Sequence, residues 1–224
     1  MAFPTSPSNN QIHEETGSNR TYVYDSAIGV WDQVKGKTDV DGSHITGAIK
    51  DDVDFPAGHI IKIYSKTMTG VHNVGTSNAW VTVGAGHANS FTFSLEPPKT
   101  SASKYFIMCN VMASNHNSNT LDFRLLDGAG NNITRADSTA GNRTRSFIGM
   151  GHQSTNNGSV YEIRNCVGHY LWAPGTSAAQ TDVRLQCSNP SGTQAFFINR
   201  SANDNNADWQ SRSTSSMTIM EIAG

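Results

Sequence analysis

Five acidic residues are the first candidates for chemistry, because paired carboxylates cleave glycosidic bonds. One carboxyl acts as the acid and the other as base or nucleophile, on either side of the scissile bond. The five are Glu96, Asp122, Asp127, Glu162 and Asp182. Each stands where the local pattern already predicts a solvent-facing strand residue or a turn residue. We therefore assign no catalytic residue and expect that the chain is not an enzyme.

The sequence patterns that would indicate a metal or phosphate site are also weak. The eight histidines show no HExxH or other ligand spacing, so exposed or hydrogen-bonded imidazoles are expected. Asp39-Val40-Asp41-Gly42 resembles the start of a calcium loop, but no glutamate follows at the required spacing. The glycine pairs at 84–86 and 149–151 precede no helix, which argues against a phosphate cradle. The sequence predicts no metal and no cofactor.

Aromatic residues at strand ends or in loops are the remaining candidates for ligand contact. Such rings can stack on the faces of sugars, and loops commonly carry binding residues. The four candidates for glycan contact are Trp80, Tyr170, Trp172 and Trp209. The alternative, which we favour for each of them, is that the ring caps a hydrophobic core or packs at a subunit interface.

Composition excludes some partners. Charged residues make up only 15% of the 224 residues, against about 25% in typical globular proteins. A net charge of −2 provides no basic face for nucleic acid. No run of about 18 apolar residues predicts a membrane span, and residues 1–11 lack the pattern of a secretory signal. Cys109, Cys166 and Cys187 are scattered and odd in number, which predicts free buried thiols.

Residues 1–36 are predicted to form a separate N-terminal module. Thr21–Tyr24, a turn at Asp25–Gly29 and Val30–Trp31 have the pattern of a small hairpin. Its aromatic side chains need a surface to pack against, because so short a segment offers too little material for a core of its own. Residues 37–52 are charged and aperiodic, which is typical of a linker.

From residue 53 onward the pattern predicts repeated strands. Apolar residues alternate with polar ones at 90–96, 121–125 and 182–187. Further strands are predicted at 59–66, 79–84, 104–113, 146–151, 159–165, 195–200 and 216–222. About ten short strands separated by turn signals favour an all-β fold, an antiparallel jelly-roll-like sandwich over 53–224.

Two of these strands are apolar on both faces. They are 104–113 and 216–222, where Met217 and Ile219 alternate with Met220 and Ile222. A strand that is apolar on both sides must be covered on both sides. Because a single sandwich covers only the inner face, a second subunit is expected to cover the other, and these four residues are the candidate interface.

The N-terminal module resembles the particle-anchoring element of many phage fibre and virion proteins. The matching pattern is a Pro-x-x-Pro, an aromatic-rich Tyr-x-Tyr-Asp strand and a tryptophan shortly after it. In this chain the matching residues are Pro4, Pro7, Tyr22, Tyr24, Asp25 and Trp31. The resemblance implies that this segment docks the chain on a capsid or tail protein of the particle.

Residues 53–224 resemble the trimeric jelly-roll heads of fibre-like proteins from marine tailed bacteriophages. The matching stretches are 121–133, 196–206 and the C-terminal 212–224. The resemblance implies a homotrimeric virion component that is assembled in the bacterial cytoplasm. It is expected to be a short head fibre or capsid decoration, able to contact the host surface. A tail fibre or tip that recognises host glycans is the alternative.

Overall fold

The computed structural model describes residues 3–15, 20–34, 56–76, 78–115, 120–134, 144–150, 161–175, 182–190, 195–208 and 210–224. The chain divides into two compact units, Met1–Asp54 and Phe55–Gly224. The predicted linker, 37–52, lies outside the described residues. In the described part of the chain, no helix has the length and apolar character needed to cross a membrane.

The N-terminal unit contains a three-stranded antiparallel sheet in the order β1-β2-β3. The strands are β1 (Ile12–Glu15), β2 (Arg20–Asp25) and β3 (Val30–Val34). The predicted hairpin is β2–β3. Its turn is closed by the Gly29 N–H, which donates to the Asp25 carbonyl at 2.8 Å, and Gly29 supplies the positive φ of 71°. Strand β1 has no apolar alternation, and the sequence did not predict it.

The C-terminal unit is an antiparallel β-sandwich of the jelly-roll-like kind, which confirms the predicted fold class. Its described strands are β4 (Ile60–Met68), β5 (His72–Gly75), β6 (Val81–Thr82), β7 (Thr92–Phe93), β8 (Lys104–Asn115), β9 (Leu121–Asp127), β10 (Ile148–Met150), β11 (Arg164–Trp172), β12 (Val183–Ser188), β13 (Phe196–Ile198) and β14 (Ser215–Ile222).

The larger of its two sheets has six strands arranged around β8. Its order is β4-β14-β8-β13-β5, with β11 also paired to β8. Because β14 and β13 pair with successive parts of β8, β11 lies along the opposite edge of β8. The smaller sheet has the order β10-β9-β12-β6, and β7 pairs with β12.

The core lies between these two sheets and is built by simple alternation. In β8 the inward residues Tyr105, Ile107, Cys109 and Val111 are fully buried, and β14 alternates between buried and half-buried residues along its whole length. Strand β9 is buried at almost every position. All three cysteines are buried and unpaired, as predicted.

Several strands differ from their predicted extents: the strand predicted at 90–96 is only the two-residue β7, and β5 was not predicted. The largest change of position is in β11. The sequence predicted a strand at 159–165, whereas β11 runs over Arg164–Trp172. Its inward Gly168 has no room for a side chain, because a Cβ there would come within 2.6 Å of an Ile148 carbon. The glycine that weakened the strand pattern is therefore the residue that lets β11 approach β10.

A buried asparagine joins three strands of the larger sheet. Asn199 follows β13 with φ of 67° and is completely buried. Its Nδ2 donates to the carbonyls of Met68 at 2.7 Å and Gly70 at 2.9 Å. Its Oδ1 accepts the Ser215 hydroxyl at 2.6 Å. The end of β4 and the start of β14 are thus tied to the loop after β13.

Candidate functional site

Five rings gather on one face of the N-terminal sheet, here called the aromatic face. Register places His13 opposite Tyr22 and Tyr24 opposite Trp31. The Phe3 ring lies over them, stacked on Trp31 with centroids 5.2 Å apart and edge-on to Tyr22 at 5.1 Å. Tyr24 and Trp31 are 5.3 Å apart. These spacings lie within the range of favourable aromatic pairs.

The N-terminal segment was expected to be too short for a core of its own, and its rings are indeed only partly covered. Phe3 and His13 complete a small cluster with Tyr22, Tyr24 and Trp31. Phe3 and His13 carry no signal of their own in the sequence, because one precedes the first strand and the other lies on β1, which has no apolar alternation. All five rings stay half-buried, so part of each remains open to a partner.

Pro4 and Pro7 lie in the segment that brings Phe3 back over the sheet. Both are half-buried. The segment then turns into β1, with the Gln11 N–H donating to the Ser8 carbonyl at 3.0 Å and the Asn10 N–H donating to the Tyr24 carbonyl at 2.9 Å. The prolines therefore restrict the backbone that carries Phe3.

The sandwich unit presents a second apolar surface, here called the outer face, on the side of the larger sheet away from the core. Its members come from β4, β8, β11 and β14. They are Ile60, Ile63, Phe106, Met108, Val167, Leu171, Met220 and Ile222. Ile63 and Val167 are each 59% exposed and Leu171 is 50% exposed. Side chains this open are unusual when they are contiguous across a sheet.

The predicted interface residues divide between the two faces of β14. Met220 and Ile222 are half-buried and belong to the outer face, where the doubly apolar pattern placed them. Met217 and Ile219 are completely buried in the core of their own chain. For these two the interface prediction is wrong, since strand alternation sends neighbouring side chains to opposite sides of the sheet.

A groove of about 370 Å³ runs along the middle of the outer face. Phe106, Met108 and Asn110 of β8 form its floor, with Val167 and His169 of β11 on one side. The Phe106 and His169 rings are 6.0 Å apart. The groove is large enough for one or two apolar side chains, and its lining is mainly apolar.

The candidate glycan contacts do not converge on one site. Trp172 is 8% exposed and packs on Tyr105 with centroids 5.9 Å apart, so this candidate is wrong and the core alternative holds. Trp80 is half-buried beneath the Arg124 guanidinium, 4.3 Å from its ring centroid. Tyr170 is 37% exposed on β11, with the Phe147 ring 6.5 Å away. Trp209 lies outside the described residues.

Most of the acidic candidates for catalysis have local partners among the described residues. Glu96 pairs with Lys62 at 2.6 Å, and Glu162 pairs with Arg164 at 3.0 Å. Asp127 closes its turn by accepting the Asn131 N–H at 2.7 Å. Burial raises the pKa of Asp122, although hydrogen bonds with Ser146 and Thr144 favour its ionised form. Asp182 is half-buried just before β12.

A histidine pair is formed by His72, the first residue of β5, and His87, which lies in the turns after β6. The Nδ1 of buried His72 accepts the Gly84 N–H at 3.0 Å, and the His87 ring centroid is 6.1 Å away. Burial, followed by the nearby His87, lowers the pKa of His72. Among the described residues, no group of three or more His, Cys, Asp or Glu side chains could hold a metal ion.

No protein-family model matches the chain, and no curated protein is significantly similar to it. What the chain does is therefore inferred from its own residues and surfaces.

Proposed function

We propose that this chain is a structural component of a tailed-bacteriophage particle, a short trimeric head fibre or capsid decoration. In this role the N-terminal unit docks on a capsid or tail protein and the sandwich unit projects outward. The observation that carries the proposal is the aromatic face, a half-open cluster of five rings on a separate small unit. The resemblance of Pro4, Pro7, Tyr22, Tyr24 and Trp31 to particle-anchoring modules supports a capsid or tail protein as the partner.

The aromatic face has the properties of a binding surface. Tyrosine and tryptophan dominate binding energy in protein interfaces when a partner desolvates them. Because the rings already pack against one another and Phe3, little side-chain freedom remains to be lost on docking. The half-exposed state leaves apolar area that a partner would remove from water.

The sandwich unit supplies bulk and a stable outward domain, and we propose no hydrolytic role for it. Glu96 and Glu162 lie in largely exposed ion pairs, and Asp127 closes a turn, so each has an ordinary structural position. A structural role requires only that the domain stays folded and presents its surface.

Incorporation into particles tests the docking role. Deletion of residues 1–36 should remove the protein from purified particles while leaving the sandwich folded. Trp31→Ala should weaken docking by about 2–4 kcal/mol, the usual cost at a central aromatic anchor. Asp32→Ala is the matched control, since Asp32 is the next residue on β3 but points to the opposite side of the sheet. Quantitative mass spectrometry of purified particles gives the copy number of each variant.

Normal copy number for the deletion variant would place the anchor elsewhere in the chain. Equal losses for Trp31→Ala and Asp32→Ala would mean that the aromatic face is not the contact surface.

A tail fibre or tip that binds host glycans is the second candidate. The exposed Tyr170 on β11 favours it, because the face of an aromatic ring can stack on a sugar. The same particle preparation separates the two candidates. Many copies on the head support a decoration or head fibre, and a few copies at the tail support receptor binding.

A further inference from the structure

We infer that the outer face of the larger sheet is the surface on which a second copy of this chain docks, with Ile63 of one copy entering the groove of another. This inference deepens the trimeric part of the proposed function and rests on it. Its test uses purified protein away from any particle, so its failure is distinguishable from a failure of docking.

The first reason is an unbroken apolar row across four adjacent strands. Register aligns Ile63 of β4 with Met220 of β14, Met220 with Phe106 of β8, and Phe106 with Leu171 of β11. Neighbouring strands are about 4.8 Å apart, so this row spans roughly 15–20 Å. The outer face of an antiparallel sheet that meets water is normally polar. A row of this length is therefore expected to be covered.

The second reason is that the central rows of the face contain no aspartate, glutamate, lysine or arginine. The next row is Ser65, Thr218, Met108 and His169, in which the Ser65 and Thr218 hydroxyls are hydrogen-bonded to each other at 3.0 Å. The row after it ends in Val167 beside Asn110. In these rows His169 is the one titratable residue, and Lys104 lies at the margin opposite Ile222. Such a face has no charged side chain with which a charged partner could form an ion pair. A second copy of the same apolar face has no charged group that would be buried unpaired on contact.

The third reason is size. Four strands and the span of β8 from Lys104 to Met112 cover about 500 Å² in projection, from standard strand spacings. A stable association buries about 800 Å² of accessible surface per partner. A corrugated surface has a larger accessible area than its projection, so the outer face is of the order that a stable subunit contact needs.

The fourth reason is shape. The face carries an open isoleucine and a recess that can receive it, since Ile63 is 59% exposed and a groove runs along β8 between β11 and β14. Its apolar lining comes from Phe106, Met108 and Val167, and its polar lining from Asn110, His169, Ser216 and Thr218. The isoleucine and the recess lie on different strands of the same face. Each copy can therefore offer one to a neighbour and receive the other, as closed ring assemblies do.

Light scattering of the full-length chain tests the inference. The natural chain should have three times the 24.2 kDa mass of one chain, as a trimer does. Ile63→Glu and Leu171→Glu should each reduce it to 24.2 kDa with an unchanged far-ultraviolet circular dichroism spectrum. Ala129→Glu, in an exposed turn after β9, is the control and should keep the assembled mass. A natural chain that is monomeric up to about 100 µM, or glutamate variants that stay assembled, would overturn the inference.

Thiol labelling provides a readout that does not depend on disrupting the assembly. Ile63→Cys should react with a maleimide at least about tenfold more slowly than Ala129→Cys, because a covered site reacts only when the contact opens. The natural background is low, since Cys109, Cys166 and Cys187 are buried and burial raises their pKa values to about 12, 11 and 12. Equal labelling rates at the two positions would leave the outer face open and contradict the inference, whichever other surface the copies used.

Discussion

Replacing Asn199 by alanine should cost the sandwich about 4–5 kcal/mol of unfolding free energy. The substitution removes three hydrogen bonds of 2.6–2.9 Å from a completely buried side chain, at about 1 kcal/mol each. It also forces alanine to adopt φ of 67°, which costs a further 1–2 kcal/mol or so. Domains are typically stable by only about 5–15 kcal/mol, so the loss is large.

Two comparisons separate these contributions. Asn199→Gly removes the same hydrogen bonds but tolerates the positive φ, so it should cost about 1 kcal/mol less than alanine. Asn206 is an exposed asparagine with φ of 55° in the same loop. Asn206→Ala therefore carries the backbone cost without the burial and should lose only about 1 kcal/mol.

Urea denaturation monitored by circular dichroism measures all three variants beside the natural chain. The expected order of loss is Asn199→Ala, then Asn199→Gly, then Asn206→Ala. A loss for Asn199→Ala no greater than that for Asn206→Ala would refute the role of the side chain in joining β4, β13 and β14.

Two further predictions concern the stability of the fold at acidic pH and the absence of hydrolytic activity. Because the folded pKa of His72 is lowered below its unfolded value of about 6.5, the neutral form stabilises the fold. That contribution is present above about pH 6.5 and is lost as the pH falls towards and through the folded pKa. Urea midpoints between pH 7.5 and 5 should fall less steeply for His72→Asn, and an unchanged slope would contradict this. Purified protein incubated with host capsule or lipopolysaccharide should release no oligosaccharide, and reproducible release would overturn the non-enzymatic proposal.

The strands that the sequence predicts correctly are those in which alternate residues face the core. The alternation at 121–125 and 182–187 identified β9 and β12, and the doubly apolar pattern of 216–222 identified β14. Burial of alternate residues is a local consequence of strand geometry. It can therefore be predicted from the order of apolar and polar residues along the sequence. The free buried cysteines followed from their scattered spacing in the same way.

Strands at sheet edges were not predicted correctly, because their order of apolar and polar residues is not set by packing against a core. Strand β5 has only four residues, and β1 carries charged and polar residues on both faces. Strand β11 contains an inward glycine and outward apolar residues, the reverse of the usual pattern. Its position is decided by pairing with β8, which lies about fifty residues earlier in the chain.

The sequence by itself determined the fold class, the separate aromatic N-terminal segment and the presence of apolar residues beyond the needs of one core. Only the tertiary structure decided which of these apolar and aromatic residues are exposed to a partner. It buried Met217, Ile219 and Trp172, and it placed Phe3 on Trp31 and Ile63 in line with Leu171. The physical reason is that exposure depends on the strands that lie alongside and across the sandwich. Those neighbours are brought together from distant parts of the chain, and local periodicity carries no information about them.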